Sequence, residues 1–260
     1  MIFDTHIHLN DEKLYSNLDF YYKDATNNGV STFMCIGYDL ESSIKACEIA
    51  SKYDNVYASI GFIPTEHNKY NDNSINELRN LYKKYSSVIK CIGEIGLDYY
   101  WENDELIKEK QKRMFIDQIN LSNELNLCVS IHARNAIQDT YDILKEHKVN
   151  NKGIMHCYSG SKEMAELFIK EGYLIAFGGV LTFKNSKESK EVLTSIPLTK
   201  IVFETDAPYL APTPYRGKIN EPKYIIETIK YASNLLNINY EELCNIAYNN
   251  SKKVFKLWLK

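Results

Sequence analysis

The sequence lacks the features that mark membrane and secreted proteins. No apolar run approaches the roughly 18 residues of a membrane span, and the N-terminal segment carries Asp4 and His6 where a signal peptide has a basic stretch and an apolar run. The six cysteines include no C-x-x-C pair, and most lie in apolar stretches, where reduced cysteine behaves as a small hydrophobic residue. We therefore expect a protein of a reducing compartment, the cytoplasm, without a membrane segment.

An excess of charge of either sign is also missing. The 260 residues include 31 basic and 34 acidic ones, which gives a net charge of −3 with neutral histidines and a pI near 6.1. Proteins that coat nucleic acid are usually strongly basic, so this balance excludes that class and restricts any phosphate-binding cations to a local site. Hydrophobic residues make up 44% and charged residues 25% of the chain, as is typical of a globular protein.

The chain has no Pro-, Gly- or Ser-rich linker, so we expect one domain over residues 1–260. Eight short apolar runs have the length of strands, at 2–8, 30–37, 56–62, 88–93, 127–132, 153–156, 173–177 and 201–204. Helical patterns alternate with or follow them, for example at 106–125, 161–171, 222–236 and 240–259. This alternation predicts an α/β fold, a (β/α)8 TIM barrel. A doubly wound open sheet is the alternative, but no G-x-G-x-x-G or G-x-x-x-x-G-K-[ST] loop follows any strand.

Histidines and acids gather at the carboxyl ends of five predicted strands, where a TIM barrel forms its active site. They are His6, His8, Glu94, His132, His156 and Asp206. Each residue alone is also typical of a hydrogen-bonded structural side chain, but the joint pattern favours a metal site. His6 and His8 share a strand face, so both can bind one cation. Six ligands exceed what one tetrahedral ion uses, whereas two divalent ions that share a bridging carboxylate would use them all.

Glu94 is the natural bridge, since Gly93 and Gly96 on either side can let the backbone pass close to the ions. Asp206 follows an apolar strand, where an acid is costly unless it is paired or bound to a cation. Glu204 shares its strand face and is expected to be a supporting partner of the ligands. Imidazoles suit zinc, manganese or iron better than magnesium, and we leave the metal open among divalent ions, with Mg, Mn and Zn as candidates.

The chain resembles the TatD family of metal-dependent hydrolases, within the amidohydrolase superfamily, nearly from end to end. The matching stretches are Phe3-Asp-Thr-His-Ile-His8, Gly93-Glu-Ile-Gly-Leu-Asp-Tyr-Tyr100, Ile131-His-Ala-Arg134, Met155-His-Cys-Tyr-Ser-Gly160, Leu181-Thr-Phe-Lys-Asn185, Glu204-Thr-Asp-Ala-Pro-Tyr-Leu210, Arg216-Gly-Lys and Asn220-Glu-Pro222. The resemblance implies a TIM barrel with metal-dependent deoxyribonuclease activity, often 3′ to 5′ on single strands. It also implies two ligand sets that share Glu94: His6, His8, Glu94 and Asp206 for one ion, and Glu94, His132 and His156 for the other.

One segment departs from the family pattern. After the third strand the family commonly reads G-x-H-P-H, whereas this chain has Gly61-Phe-Ile-Pro-Thr65. Ile63 and Thr65 therefore replace two histidines that usually lie near the substrate, which bears on substrate choice and rate rather than on metal binding. His67 follows two residues later, and we expect it to be exposed.

The implied mechanism is phosphodiester hydrolysis at DNA strand ends, with Glu94 and Asp206 as catalytic residues and Asp206 as acceptor of the water's proton. Arg134, Lys184 and Arg216 are the candidate phosphate contacts. Two alternatives stay open. One is a metal-dependent ester or amide hydrolase, such as a D-aminoacyl-tRNA deacylase, and the other is a barrel scaffold without turnover. We expect a monomer with no obligate protein partner.

Overall fold

The computed structural model describes residues 1–257, and its centre is a barrel of parallel strands. The strands are β1 (Ile2–Ile7), β2 (Val30–Ile36), β3 (Val56–Ile60), β4 (Ile89–Asp98), β5 (Cys128–Arg134), β6 (Gly153–Met155), β7 (Leu174–Phe177) and β8 (Ile201–Phe203). Neighbours pair in chain order from β1 to β8. Backbone hydrogen bonds from Asp206 to His6 and from His8 to Ala207 then join the segment after β8 to β1. The sheet is therefore a nearly closed barrel, which confirms the predicted fold class.

Helices surround the strands. They are α1 (Glu12–Tyr15), α2 (Leu18–Asn27), α3 (Leu40–Lys52), α4 (Ser74–Tyr85), α5 (Glu105–Leu125), α6 (Ile137–Glu146), α7 (Lys162–Lys170), α8 (Lys187–Ser195), α9 (Ile225–Leu236) and α10 (Tyr240–Val254). Several begin at side chains that accept a hydrogen bond from a free backbone N–H: Asp39 caps α3, Asp104 caps α5 and Ser161 caps α7. Between residues 1 and 257, no helix combines the length and the apolar character that crossing a bilayer requires.

Two hydrophobic clusters form the core. The larger one joins the outer side of the strands to the helices. The smaller one lies inside the barrel and includes the strand residues Phe3 and Cys91, together with Phe255, which follows α10. Strands buried on both faces are expected of a parallel sheet covered by helices.

Among the register shifts between paired strands, two lie beside predicted metal ligands. On β1, the step from Asp4 to Ile7 lies opposite a step of only two residues on β2. On β4, the step from Ile92 to Ile95 likewise lies opposite two residues of β5. Each extra residue is a bulge, which reverses the faces of the residues that follow it. Both bulges lie at predicted metal ligands.

Several predicted bounds are wrong. The strand predicted at 88–93 extends to Asp98 because β5 continues to pair with it, so Glu94 lies within β4 rather than after it. The helix predicted from 222 starts with a separate 3-10 turn, Pro222–Tyr224, before α9. The helix predicted at 240–259 ends at Val254, where Lys256 adopts a positive φ and Leu257 N–H bonds the Lys252 carbonyl. Residues 258 and 259 of that prediction lie outside the described residues.

Candidate metal centre

The six predicted ligands meet at the carboxyl end of the barrel, around Glu94. One carboxylate oxygen of Glu94, Oε2, lies 3.4 Å from His6 Nε2 and 3.9 Å from His8 Nε2. The other oxygen, Oε1, lies 2.8 Å from His132 Nδ1 and 3.7 Å from His156 Nε2. The two oxygens of one buried carboxylate therefore face two different pairs of histidines.

Asp206 completes the group from the segment after β8. Its Oδ1 lies 3.3 Å from His8 Nε2, 3.8 Å from His6 Nε2 and 3.9 Å from His156 Nε2. The backbone of Asp206 has a φ of 56°, a left-handed conformation that is uncommon for residues other than glycine. Its N–H bonds the His6 carbonyl at 2.9 Å, which holds the carboxylate beside β1.

The spacing of these atoms fits a metal ion better than a hydrogen-bond network. Ligand bonds of about 2.1 Å in a tetrahedral arrangement place neighbouring ligand atoms about 3.4 Å apart. His6 Nε2 and His8 Nε2 are 3.3 Å apart, and all four of their distances to Glu94 and Asp206 lie between 3.3 and 3.9 Å. Potential ligand groups, whose ligand atoms lie within 4.8 Å of one another, include His6, His8 and Glu94, and separately Glu94, His132 and His156. The donor set therefore suits divalent ions.

Two of the histidines are oriented by carboxylates that contact the ring nitrogen directed away from Glu94. His156 Nδ1 bonds Glu204 Oε2 at 3.0 Å, and Glu204 Oε1 also accepts the backbone N–H of Cys157 at 2.7 Å. His132 Nε2 bonds Asp98 Oδ2 at 3.0 Å. Histidines that ligate metals commonly donate their second nitrogen in this way, which fixes the ring and its tautomer. Glu204 is thus found where the sequence predicts a supporting partner.

The other two histidines have neutral partners. His8 Nδ1 bonds the Ile36 carbonyl at 3.2 Å, and His6 Nδ1 lies 3.3 Å from Ser130 Oγ. Each of the four rings therefore has one nitrogen held by the barrel and the other directed at the central carboxylates.

Asp98 contacts a candidate ligand, His132, and was not predicted from the sequence. A usable signal exists, because Asp98 lies four residues after Glu94 and so falls on the same face of β4.

The two glycines of β4 allow a close approach between strands, rather than the expected close approach of the backbone to metal ions. A Cβ at Gly96 would lie 2.0 Å from the His132 carbonyl oxygen, and one at Gly93 would lie 2.8 Å from Ser130. Both glycines thus allow β4 to approach β5 closely.

Comparison with known proteins assigns the chain to a family. The family model described as "TatD related DNase" matches residues 3–256. The chain belongs to the TatD family. It is 38% identical to YabD of Bacillus subtilis strain 168, described as an uncharacterized metal-dependent hydrolase, over 99% of this chain and 100% of that one.

Solved structures agree with this assignment. The TatD homologue YJJV of Escherichia coli K12 superposes with a TM-score of 0.93 at 26% identity and covers 98% of both chains. A TatD-family hydrolase of Entamoeba histolytica superposes with a TM-score of 0.87, also at 26% identity, over 97% of both chains. The chain is therefore a metal-dependent hydrolase of the TatD family with a TIM-barrel fold.

The charges of this TatD centre depend strongly on one another. Burial alone would lower the pKa of His156, but the Glu204 and Glu94 carboxylates raise that pKa to about 10. Burial likewise opposes charge on His132, yet Asp98 and Glu94 raise its pKa to about 9. Burial would raise the pKa of Glu94, but the neighbouring histidines, His156 first, hold it well below its usual value. Protons on the histidines thus balance the buried carboxylates, as divalent ions also would.

A cavity of about 770 Å³ opens over the TatD metal centre. Five of the six ligands line it, namely His8, Glu94, His132, His156 and Asp206. Of the predicted phosphate contacts, Arg134 lies in its wall. Lys184 and Arg216 are exposed and do not belong to the lining, and the Arg216 guanidinium lies 4.3 Å from the Phe183 ring centroid instead. Lys187, three residues after Lys184, lines the cavity and was not predicted.

The segment that departs from the TatD pattern contributes one residue to the cavity. Ile63 lines it, whereas Thr65 is exposed outside the lining. His67 is half-buried rather than exposed as expected, because its ring packs back on its own turn and Nδ1 contacts the Pro64 carbonyl at 3.3 Å. An apolar side chain, Ile63, therefore lies at the edge of the cavity.

Proposed function

We propose that this protein is a deoxyribonuclease that hydrolyses phosphodiester bonds at the ends of single DNA strands, from 3′ to 5′. The proposal is supported mainly by Glu94, whose carboxylate is divided between two pairs of histidines, one pair facing each oxygen. With this division Glu94 would help to hold two divalent ions, one with His6 and His8 and the other with His132 and His156. Pairs of ions at a phosphate stabilise both the attacking and the leaving oxygen, and they activate water near neutral pH.

The chain's own residues have distinct roles in this reaction. The side chain of Asp206 is 12% exposed and that of Glu94 only 3%, so Asp206 is the more accessible of these two cavity-lining carboxylates. It would accept the proton of the attacking water. The Arg134 guanidinium at the cavity wall would pair with a non-bridging phosphate oxygen. An enzyme that holds only a strand end needs few cations, so a net charge of −3 is compatible with this role.

Digestion of end-labelled single strands tests the proposal. Wild type and Glu94→Gln are compared with Mn²⁺, Mg²⁺ and Zn²⁺ on DNA that is labelled separately at each end. Wild type should produce a metal-dependent ladder that shortens from the 3′ end, and the variant should lose at least about a thousandfold in rate. Glu41→Gln, at an exposed acid of α3, is the matched control and should cleave like wild type. Full activity of Glu94→Gln, or full activity in a chelator, would contradict the proposal.

A metal-dependent ester hydrolase acting on D-aminoacyl-tRNA is the second candidate. Ile63 favours it, because an apolar side chain at the cavity edge suits an acyl group better than a phosphate. Release of free amino acid from D-aminoacyl-tRNA by a metal-loaded protein that leaves DNA intact would select this function over the first.

A further inference from the structure

Two large aromatic side chains are exposed next to Arg134, a residue of the cavity wall. Trp101 is 69% exposed and Tyr100 is 49% exposed, in the segment between β4 and α5. Their ring centroids are 4.6 Å apart, and the rings meet edge to face at 88°. This segment begins at Asp98, which orients the ligand His132, so the aromatic pair is attached to the framework of the site. Side chains of this size are normally buried, and exposed ones often mark a binding surface.

Arg134 links these rings to the cavity. Its guanidinium carbon lies 3.7 Å from the Tyr100 ring centroid and 5.4 Å from the Trp101 centroid. The same residue ends β5, two positions after His132, and lines the cavity. A guanidinium that lies over an aromatic ring keeps its N–H groups free in its own plane, where they can bind a phosphate.

The three side chains together offer flat aromatic surface and one cation next to the reaction centre. We propose that Trp101, Tyr100 and Arg134 form a stacking platform for the nucleobase adjacent to the scissile phosphate of a single strand. The inference rests on the proposed nuclease function and names the part of the substrate that this surface recognises. Every base has a π face, so stacking of this kind tolerates any sequence. It requires an unpaired base, and hence favours single strands over duplex ends.

Tryptophan fluorescence tests binding without relying on turnover. The chain has two tryptophans, so Trp258→Phe leaves Trp101 as the only reporter. Metal-loaded protein is mixed rapidly with oligothymidylate, and quenching is recorded before any hydrolysis. The matched ligand is a strand of equal length and charge made of abasic sugars. The platform predicts quenching by oligothymidylate and an affinity for the abasic strand that is at least about fivefold weaker.

Cleavage kinetics locate the effect. Trp101→Ala should lose about 5- to 100-fold in kcat/KM on ordinary single strands, mostly through KM, because base stacking contributes about 1–3 kcal/mol. Trp101→Phe should restore part of the loss. On strands with a terminal abasic unit, Trp101→Ala and wild type should cleave alike. Phe20→Ala removes an aromatic ring that is 62% exposed on α2, away from the cavity, and is the matched control.

The outcomes separate this inference from the proposed function. If wild type cleaves DNA but Trp101→Ala matches it on every substrate, the platform is wrong and the nuclease stands. Equal quenching by the base-bearing and abasic strands, or no quenching by either, also overturns the platform. If base-dependent quenching occurs while wild type cleaves no DNA, the base site stands and the nuclease proposal fails.

Discussion

Glu204 accepts a hydrogen bond from Nδ1 of His156 at 3.0 Å, and this contact turns Nε2 of the same ring toward Glu94. In a metal-bound form Nδ1 would keep its hydrogen on Glu204, and Nε2 would offer the lone pair that binds a metal. Asp98 performs the mirror-image task for His132, whose Nε2 it holds while Nδ1 faces Glu94. Two carboxylates that lie behind the ligands therefore decide which nitrogen each histidine offers.

Removing the charge of Glu204 or Asp98, the carboxylates that hold His156 and His132, should weaken metal binding. We expect Glu204→Gln and Asp98→Asn each to raise the metal dissociation constant about 10- to 100-fold, because the ring behind each loses its charged partner. Calorimetric titration of the metal-free protein measures this. Glu41→Gln, whose side chain lies on the exposed face of α3, should bind metal like wild type. If Glu204→Gln and Asp98→Asn both bind metal with unchanged affinity, the histidines are oriented by packing alone.

Metal removal should lower the melting temperature. An ion present at about 100 times its dissociation constant stabilises the folded state by about 2.7 kcal/mol if the unfolded chain does not bind it. For a chain of this size that corresponds to a loss of roughly 5–10 °C when a chelator is added. Differential scanning calorimetry with and without chelator gives the shift, and re-addition of metal should reverse it. An identical melting temperature in both conditions would argue against a preformed metal centre.

The stability of the metal-free protein should fall as the pH rises. The pKa of His132 is raised to about 9 and that of His156 to about 10 by neighbouring carboxylates, from about 6.5 in an unfolded chain. Groups whose pKa is raised on folding contribute stability that is complete below about pH 6.5 and is lost through about pH 9–10. Urea unfolding in chelator, at a series of pH values across this window, measures the loss.

The metal-loaded protein is the control for other titrating groups. Its histidines are already deprotonated by the ions, so its stability should change less over the same range of pH. A metal-free protein that is equally stable or more stable at high pH would contradict the assignment of charge to these histidines.

Gly96→Ala should destabilise the barrel at the metal centre. Gly96 has a φ of 138°, and a Cβ there would lie 2.0 Å from the His132 carbonyl oxygen. The strand cannot move aside without shifting His132, so we expect a loss of at least about 3 kcal/mol in the free energy of unfolding. Gly29→Ala is the matched control, since its φ is 94° but no atom lies within 4 Å of an added Cβ. It should lose only about 1 kcal/mol. Urea unfolding compares the two, and equal losses would show that backbone conformation alone matters.

Much of the fold and site could be predicted from the sequence because the relevant signals are local. Apolar runs of strand length alternate with helical patterns, and this predicts the barrel. The positions of His6, His8, His132 and His156 at or near strand ends then predict that they converge, because parallel strands in a barrel end at one rim. Glu204 could be assigned a supporting role from its place two residues before Asp206.

The predicted phosphate contacts could not be chosen correctly from local sequence patterns. Lys184 lies in the loop before α8 and Lys187 begins that helix. No pattern in the sequence distinguishes them, and both are exposed, yet only Lys187 lines the cavity. The direction of a loop side chain depends on how the loop packs against the barrel, which composition and periodicity do not contain.

The sequence by itself determined the eight strands, the six candidate ligands and the end of the barrel at which they meet. Only the tertiary structure decided that Glu94 points inward. Alternation along β4 from Cys91, which lies inside the barrel, would place Gly93 and Ile95 inside, but the bulge opposite β5 turns Glu94 inward and Ile95 outward. A bulge depends on how two strands pair, so the sequence of either strand by itself does not predict it. The pairing of β4 with β5 is therefore what places the Glu94 carboxylate between the two pairs of histidines.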